Sequence, residues 1–177
     1  MNIPSAEPIS FPEFVRMQIM QLIREEKWIV GGGTWSTAKM PKNAFPLSKS
    51  NSGLLGAGWC WTVYLVAGAE EQYRLLVGYH VGKEQYRAWL GLGVGNDQAV
   101  LARLEYHPDE AHGWHCHLKQ GLVGDVAVGI VKQPRHRDRS RLCRVSKEFG
   151  VGPVNALQIA CRVFNIVPAF GEGDLFQ

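Results

Sequence analysis

Five short segments in the middle of the chain constrain the fold most, because each has the pattern of a β-strand and short links join them. Apolar and polar side chains alternate along much of each segment, which is typical of strands with one buried face. The links hold turn-forming sequences, such as GKE and GVGND. Consecutive strands with short links pair antiparallel, so the sequence predicts a five-stranded antiparallel meander. The five segments are residues 59–67, 72–81, 85–93, 99–107 and 113–119.

Helices are predicted before and after this meander in the chain. Residues 11–27 space their apolar side chains at about 3.6 residues, after Ser10 as a suitable N-cap. Near the other end, residues 140–149 and 153–165 predict a helical pair, with Gly150 placed to end the first helix. Helices packed on one face of an antiparallel sheet make an α+β fold. The chain is then a single domain with five parts: a loose arm at 1–10, a long Gly/Ser/Lys loop at 31–58, the sheet at 59–119, a basic link at 132–141 and the helical pair at 140–165.

Composition restricts the class of protein more than its function. Hydrophobic residues make up 46% of the 177 residues and charged residues 20%, which is ordinary for a globular domain. No apolar run approaches 18 residues, so no membrane span is predicted. The four cysteines are scattered and form no CxxC, which favours reduced thiols in the cytoplasm and excludes a cysteine zinc knuckle.

A histidine-rich stretch, HPDEAHGWHCH at 107–117, is the strongest candidate for a functional site. It holds four of the six histidines of the chain, and Glu105 lies two residues upstream. In residues 100–107 the even positions, Val100 among them, are apolar, and residues 114–119 repeat this pattern. The odd positions therefore share the opposite, polar face. The four histidines are His107, His112, His115 and His117. The residues predicted on the polar face are Arg103, Glu105, His107, His115, His117 and Lys119.

Strand register brings these side chains together. A hairpin that closes between residues 107 and 113 places Glu105 opposite His115 and Arg103 opposite His117, with β-carbons about 5 Å apart. A slip by one residue would bury the charged set, so this register is constrained. The neighbouring strands add Arg74, His80 and Arg87 to the same face, and Trp89 joins the side of Arg87.

Three chemistries fit this cluster. Imidazole and carboxylate groups suit a divalent metal such as Zn, Mn, Fe or Ni, with His107, His115, His117 and Glu105 as ligands. A metal-free alternative uses a histidine pair for proton transfer, as in RNA cleavage through the 2′-hydroxyl. The third possibility is a solvent-facing sheet whose histidines do no chemistry.

Basic residues outside the cluster indicate an anionic partner. The link PRHRDRSR places arginines at alternate positions, a pattern that can follow a phosphate backbone and is also common in solvated connectors. Residues 144–164 have the outline of a helix-turn-helix, although their second helix is too apolar to read bases well. The residues predicted to bind substrate are Arg87, Lys119, Arg135, Arg137 and Arg139.

Residues 72–118 resemble a family of uncharacterised bacterial proteins that share an L-E-[FY]-H…G-W-H-x-H stretch, here LEYH and GWHCH. That family has no assigned activity, so the resemblance implies only that the motif recurs. The residues favour a nuclease-like phosphodiester hydrolase, metal- or His-dependent, acting on RNA or DNA. Its catalytic residues would be Glu105, His107, His115, His117 and Arg103. The alternative is a non-catalytic module that binds nucleic acid or protein, such as the small partner of a two-gene bacterial system or a homo-oligomer.

Overall fold

A curled, mixed β-sheet forms the body of the protein in a computed structural model that describes residues 18–47, 55–109, 113–129, 135–136 and 150–168. Its eight strands lie in the order β7-β6-β5-β4-β3-β2-β1-β8, and all neighbours are antiparallel except β1 and β8. The strands are β1 Lys27–Gly32, β2 Cys60–Ala67, β3 Gln72–His80, β4 Gln85–Val94, β5 Asp97–Tyr106, β6 Trp114–Leu118, β7 Arg135–His136 and β8 Ile166–Val167.

Two α-helices are present in the described residues, α1 at Ile19–Arg24 and α2 at Ala156–Phe164. Short 3₁₀ turns occur at Val81–Lys83 and Val123–Asp125. Neither α-helix is long and apolar enough to cross a membrane. Residues 11–17 of the predicted helix at 11–27 lie outside the described residues, as do the predicted helix at 140–149, the arm at 1–10 and most of the link at 132–141. Of the remainder of the first predicted helix, Ile19–Arg24 is helical and Lys27 begins a strand.

The predicted fold class, a five-stranded antiparallel meander with an N-terminal helix and a C-terminal helical pair, is wrong. The five predicted segments correspond to β2–β6, but the sheet continues on both sides and becomes mixed where β8 joins β1 in parallel. Residues 27–32 read as the end of a helix and the start of a loop, yet their Trp, Ile and Val side chains favour a strand. Strands β7 and β8 have two residues each, too few to show an alternating pattern.

The main apolar core covers one face of the sheet. Both helices contribute to it, and β3 shows why, since its alternate residues all point into this cluster. Those residues are Tyr73, Leu75, Val77 and Tyr79. The alternation predicted for β3 is therefore confirmed over these positions.

A smaller apolar cluster lies on the other face and includes part of the predicted 31–58 loop. Met40, Phe45 and Leu55 pack there against Trp61, Leu76, Trp89 and Val100 of the sheet. Arg74 fixes the loop further, because its Nη1 donates hydrogen bonds to the carbonyls of Asn43 and Ala44 at 3.1 and 2.8 Å. The loop thus covers part of the sheet face on which the histidine side chains of the histidine-rich strands lie.

A β-bulge in β5 explains one misplaced residue. Leu90 pairs with Ala102 and Gly91 pairs with Val100, so Leu101 is an extra residue without a partner on β4. Because of this insertion Val100 lies in the smaller cluster, whereas Leu101 and Ala102 both lie in the main core. The alternation of the sequence had placed Val100 with Ala102, since a bulge leaves no mark in the apolar pattern.

Lys27 joins the C-terminal ends of the two helices. Its side chain is fully buried, and Nζ donates to the carbonyls of Ile23, Glu25 and Phe164 at 3.0, 2.8 and 3.3 Å. Carbonyls in the last turn of a helix have no partner within the helix, and a cation there also interacts favourably with the helix dipole. One lysine therefore donates hydrogen bonds to carbonyls at the C-terminal ends of both α1 and α2.

The contribution of Lys27 to the free energy of unfolding is expected to rise with pH between 8 and 10. Burial lowers the pKa of Lys27 from 10.5 to about 8, against an opposing effect of Glu25. Across this window the unfolded chain holds a proton that the folded chain has lost, so raising the pH favours the folded state by up to about 1.4 kcal/mol per pH unit. Urea denaturation of wild type and Lys27→Met at several pH values checks this. The wild type should gain stability relative to the variant, and parallel pH curves would contradict it.

Candidate metal centre

The histidine-rich strands pair in the predicted register. Glu105 lies opposite His115, and Arg103 lies opposite His117. The backbone N–H of His107 donates to the carbonyl of Gly113 at 3.1 Å, which closes the hairpin. The even-numbered residues of β6 belong to the main core. The polar residues of β5 and β6 are therefore held on the opposite face.

Three imidazoles converge on one oxygen of Glu105. The Nε2 atoms of His115, His107 and His117 lie 3.5, 3.9 and 4.0 Å from Oε2. Ligands bound to zinc at about 2.0–2.2 Å stand roughly 3.4 Å apart in a tetrahedral site. One ligand atom from each of Glu105, His107 and His115 lies within 4.8 Å of the others, so this group could hold a metal ion. His117 also lies near Oε2 of Glu105 but does not belong to this group of three.

The other oxygen of Glu105 has different surroundings. Oε1 accepts a hydrogen bond from the indole Nε1–H of Trp89 at 2.9 Å. Two guanidinium groups flank the same oxygen, with Arg87 Nε and Arg103 Nη1 both 3.7 Å away. The carboxylate is thus divided into an imidazole side and an indole–guanidinium side.

Glu105 stays ionised although it is buried. Burial by itself raises the pKa of this carboxyl. The imidazoles of His107 and His115 beside Oε2 and the charges of Arg103 and Arg87 outweigh burial and hold the pKa well below the ordinary 4.5. The carboxylate is therefore available as an anionic ligand at any physiological pH.

The orientation of His115 favours a cation between the ring and Glu105. His115 Nδ1 lies 3.3 Å from the carbonyl oxygen of Gly113. A carbonyl can only accept, so this contact is a hydrogen bond when Nδ1 carries the proton. In the neutral ring Nε2 then presents a lone pair to Glu105 Oε2 at 3.5 Å. Two acceptors face each other, and either a proton on Nε2 or a metal ion removes the repulsion. A ligating histidine commonly donates its other nitrogen to a backbone carbonyl in this way.

Solvent reaches the cluster from the His107 side. The side chain of His107 is 29% exposed, whereas that of His115 is 5% exposed. The two rings stack with centroids 5.4 Å apart, and His117 meets His115 edge-on at 5.2 Å. His107 is therefore the most solvent-accessible member of the cluster.

Trp89 is the site residue whose role the sequence did not reveal. Its ring packs against both guanidinium groups, with Arg87 Cζ at 5.0 Å and Arg103 Cζ at 5.8 Å from the ring centre. Trp59 covers Arg87 at 5.3 Å. Arg87 pairs with Glu105 across β4 and β5, and Trp89 pairs with Arg103. This pairing is the feature from which the role of Trp89 could have been predicted, because an indole at position 89 can reach the carboxylate of Glu105.

The other predicted substrate-binding residues are only partly placed. Lys119 is 9% exposed and comes two residues after His117, and burial lowers its pKa. The backbone of Arg135 pairs with His117, so the basic link begins beside the cluster. Arg137, Arg139 and His112 lie outside the described residues.

The prediction of reduced thiols is wrong for Cys116. Cys116, between His115 and His117, is disulfide-bonded, whereas Cys60 and Cys161 are free. The predicted cytoplasmic location rested partly on reduced thiols, and it stays a prediction.

Comparison with known proteins gives this chain no relative. No protein-family model matches it, and neither a curated protein nor a solved structure does. The resemblance of residues 72–118 to a bacterial family therefore stays a prediction, and the cluster of Glu105, His107 and His115 is the feature that bears on function.

Proposed function

We propose that the protein is a metal-dependent hydrolase that acts on a phosphodiester, with Glu105, His107 and His115 holding a divalent ion. The observation that carries this proposal is the convergence of three imidazole Nε2 atoms on one ionised carboxylate oxygen, at 3.5–4.0 Å. Imidazole and carboxylate ligands suit Zn, Mn, Fe or Ni. Three protein ligands leave a coordination position for water, as catalytic sites require.

The bound ion would supply a nucleophile by lowering the pKa of its water. His117, whose Nε2 is 4.0 Å from Glu105 Oε2, is near enough to move a proton to or from that water. Arg87 and Arg103 add positive charge beside the cluster, which favours an anionic substrate such as RNA or DNA.

A metal-free acid–base site is the second candidate. The 3.5 Å contact between His115 Nε2 and Glu105 Oε2 is satisfied equally by a proton, which would make an imidazolium–carboxylate pair. The partly exposed His107 would then exchange a second proton with the substrate. Such a pair could cleave RNA through its 2′-hydroxyl without any metal.

Elemental mass spectrometry on the untagged protein tests the metal directly. We expect about one Zn, Mn, Fe or Ni per chain, and its loss from the double variant His115→Ala/His117→Ala. His80→Gln is the matched control, since His80 packs against Trp59 outside the cluster. Hydrolysis of RNA and DNA should follow the metal content and stop in EDTA.

Three results would overturn the proposal in different ways. No metal in the wild type, even after Zn, Mn, Fe and Ni are added back, removes the metal centre. RNA cleavage that persists in EDTA supports the metal-free pair instead. Nucleic-acid binding without cleavage, whether or not metal is bound, supports a non-catalytic binding module.

A further inference from the structure

The two arginines beside Glu105 have hydrogen-bond donors but no acceptor. Oε1 of Glu105 accepts the N–H of Trp89 at 2.9 Å. Arg87 Nε and Arg103 Nη1 stand 3.7 Å from the same oxygen, which is beyond hydrogen-bond distance. The buried Nε atoms of both arginines have no hydrogen-bond partner. Within the described ranges neither guanidinium finds an acceptor, although each carries five N–H donors.

Indole rings lie close to both of these guanidinium groups. Trp59 and Trp89 approach Arg87 with ring centres 5.3 and 5.0 Å from Cζ, and Trp89 approaches Arg103 at 5.8 Å. The side chains of Arg87 and Arg103 remain 19% and 17% exposed. The indoles therefore limit the positions open to the guanidinium groups, while part of each side chain still reaches solvent.

Among the described residues the local charge is also unbalanced. Arg87 and Arg103 face the single negative charge of Glu105, and Lys119, two residues after His117, is a third, largely buried cation. Buried charges without counter-ions are costly. A ligand with several acceptor oxygens and a negative charge would supply acceptors for the N–H groups and a counter-ion for the positive charges.

We propose that Arg87 and Arg103 form a binding site for a tetrahedral oxyanion of the phosphate class, beside the cluster of Glu105, His107 and His115. The inference rests on the proposed function in one respect, namely that the anion is the phosphoryl group of the substrate. Binding of the anion itself requires no metal. A metal ion at Glu105 would strengthen it, and by linkage the anion would strengthen metal binding equally.

Trp89 acts as a positioning residue for this site. Its N–H takes one acceptor position of Oε1, and the two arginines stand 3.7 Å from this oxygen instead of closing onto Glu105 as a charge-assisted bidentate pair. Without that N–H, an arginine would take the vacated acceptor and lose its availability for the ligand. The site therefore depends on a neutral indole donor that itself contacts no anion.

Calorimetric titration of inorganic phosphate into metal-free protein tests the site, with ionic strength held constant by chloride. We expect one saturable site per chain. Arg87→Gln and Arg103→Gln should each weaken phosphate binding by about 10-fold or more. Trp89→Phe should also weaken it severalfold, although both arginines remain. Trp61→Phe is the matched control, because its indole N–H donates to the Ala38 carbonyl instead, and binding should be unchanged.

The outcomes separate this inference from the proposed function when metal binding is measured on the same samples. Phosphate binding to a protein that takes up no metal upholds the oxyanion site and overturns the hydrolase. Metal uptake without phosphate binding upholds the metal centre and overturns the oxyanion site. Binding that neither glutamine variant weakens overturns the site, and equal effects of Trp89→Phe and Trp61→Phe overturn the role of Trp89. If a glutamine variant fails to fold, Arg→Lys keeps the charge, and unweakened binding in it would overturn the site.

Discussion

Replacement of Glu105 by glutamine is expected to abolish stoichiometric metal binding and to lower the free energy of unfolding by about 3 kcal/mol. Glutamine keeps the size of the side chain and an acceptor for Trp89, but it removes the one negative charge that opposes Arg87 and Arg103 in the part of the chain that the structure describes. Removing one partner of a buried ion pair typically costs about 3–5 kcal/mol. The arginines are 17–19% exposed, which places the loss near the lower end. Urea denaturation and elemental analysis at pH 7 measure both effects.

Acid should remove this difference between wild type and Glu105→Gln. The folded protein holds the pKa of Glu105 below the ordinary 4.5, so the unfolded state binds the proton first. The stabilisation is therefore fully present above pH 4.5 and is lost as the pH falls below it. Glu25→Gln is the control, because Glu25 accepts the hydroxyl of Tyr73 and lies apart from the arginines. A stability difference that stays constant from pH 7 to 3 would contradict this origin.

Replacement of Gly113 by alanine is expected to destabilise the protein by about 2–4 kcal/mol. Gly113 has φ +59°, which costs a side chain about 1 kcal/mol, and a β-carbon there would lie 2.3 Å from Cε2 of Tyr106. The Tyr106 ring is buried and packs on Trp114 at 5.1 Å, so it has little room to move. Gly95→Ala is a matched control, since Gly95 has the same φ and nothing within 4 Å.

Gly113→Ala should also weaken metal binding. The Gly113 carbonyl accepts the backbone N–H of His107 and contacts Nδ1 of His115. Moving that carbonyl reorients both imidazoles, and loss of such an outer partner commonly lowers metal affinity by about 10–100-fold. Thermal unfolding and competitive metal titration of Gly113→Ala and Gly95→Ala check the two effects. Equal stability losses in the two variants would mean that the Tyr106 ring yields to the methyl group.

The sequence predicted the strands that carry the site because those strands bury one face. In β5 and β6 a slip of one residue would put Glu105 or His115 into the main core, so alternation alone determined which residues meet. The register of Glu105 with His115 and of Arg103 with His117 followed from it. Strong two-residue periodicity also made β2–β4 recognisable.

Features that depend on distant contacts left no comparable pattern. Strand β8 consists of two residues that are ordered by pairing with β1, far away in the chain. The bulge at Leu101 inserts a residue without altering the apolar composition of β5. Trp89 was predicted on the side of Arg87, but nothing in the order of residues shows that its N–H points at Glu105. Each of these features is decided by tertiary packing and not by local propensity.

The position of Lys27 has a consequence for synthesis of the protein. Its third hydrogen-bond partner, the Phe164 carbonyl, comes 137 positions later in the chain. A nascent chain that has already emerged with all of β1–β6 still lacks this third partner of Lys27. The Phe164 carbonyl completes the set only when α2 packs beside the first helix. A single ammonium group thus couples the packing of the two helices.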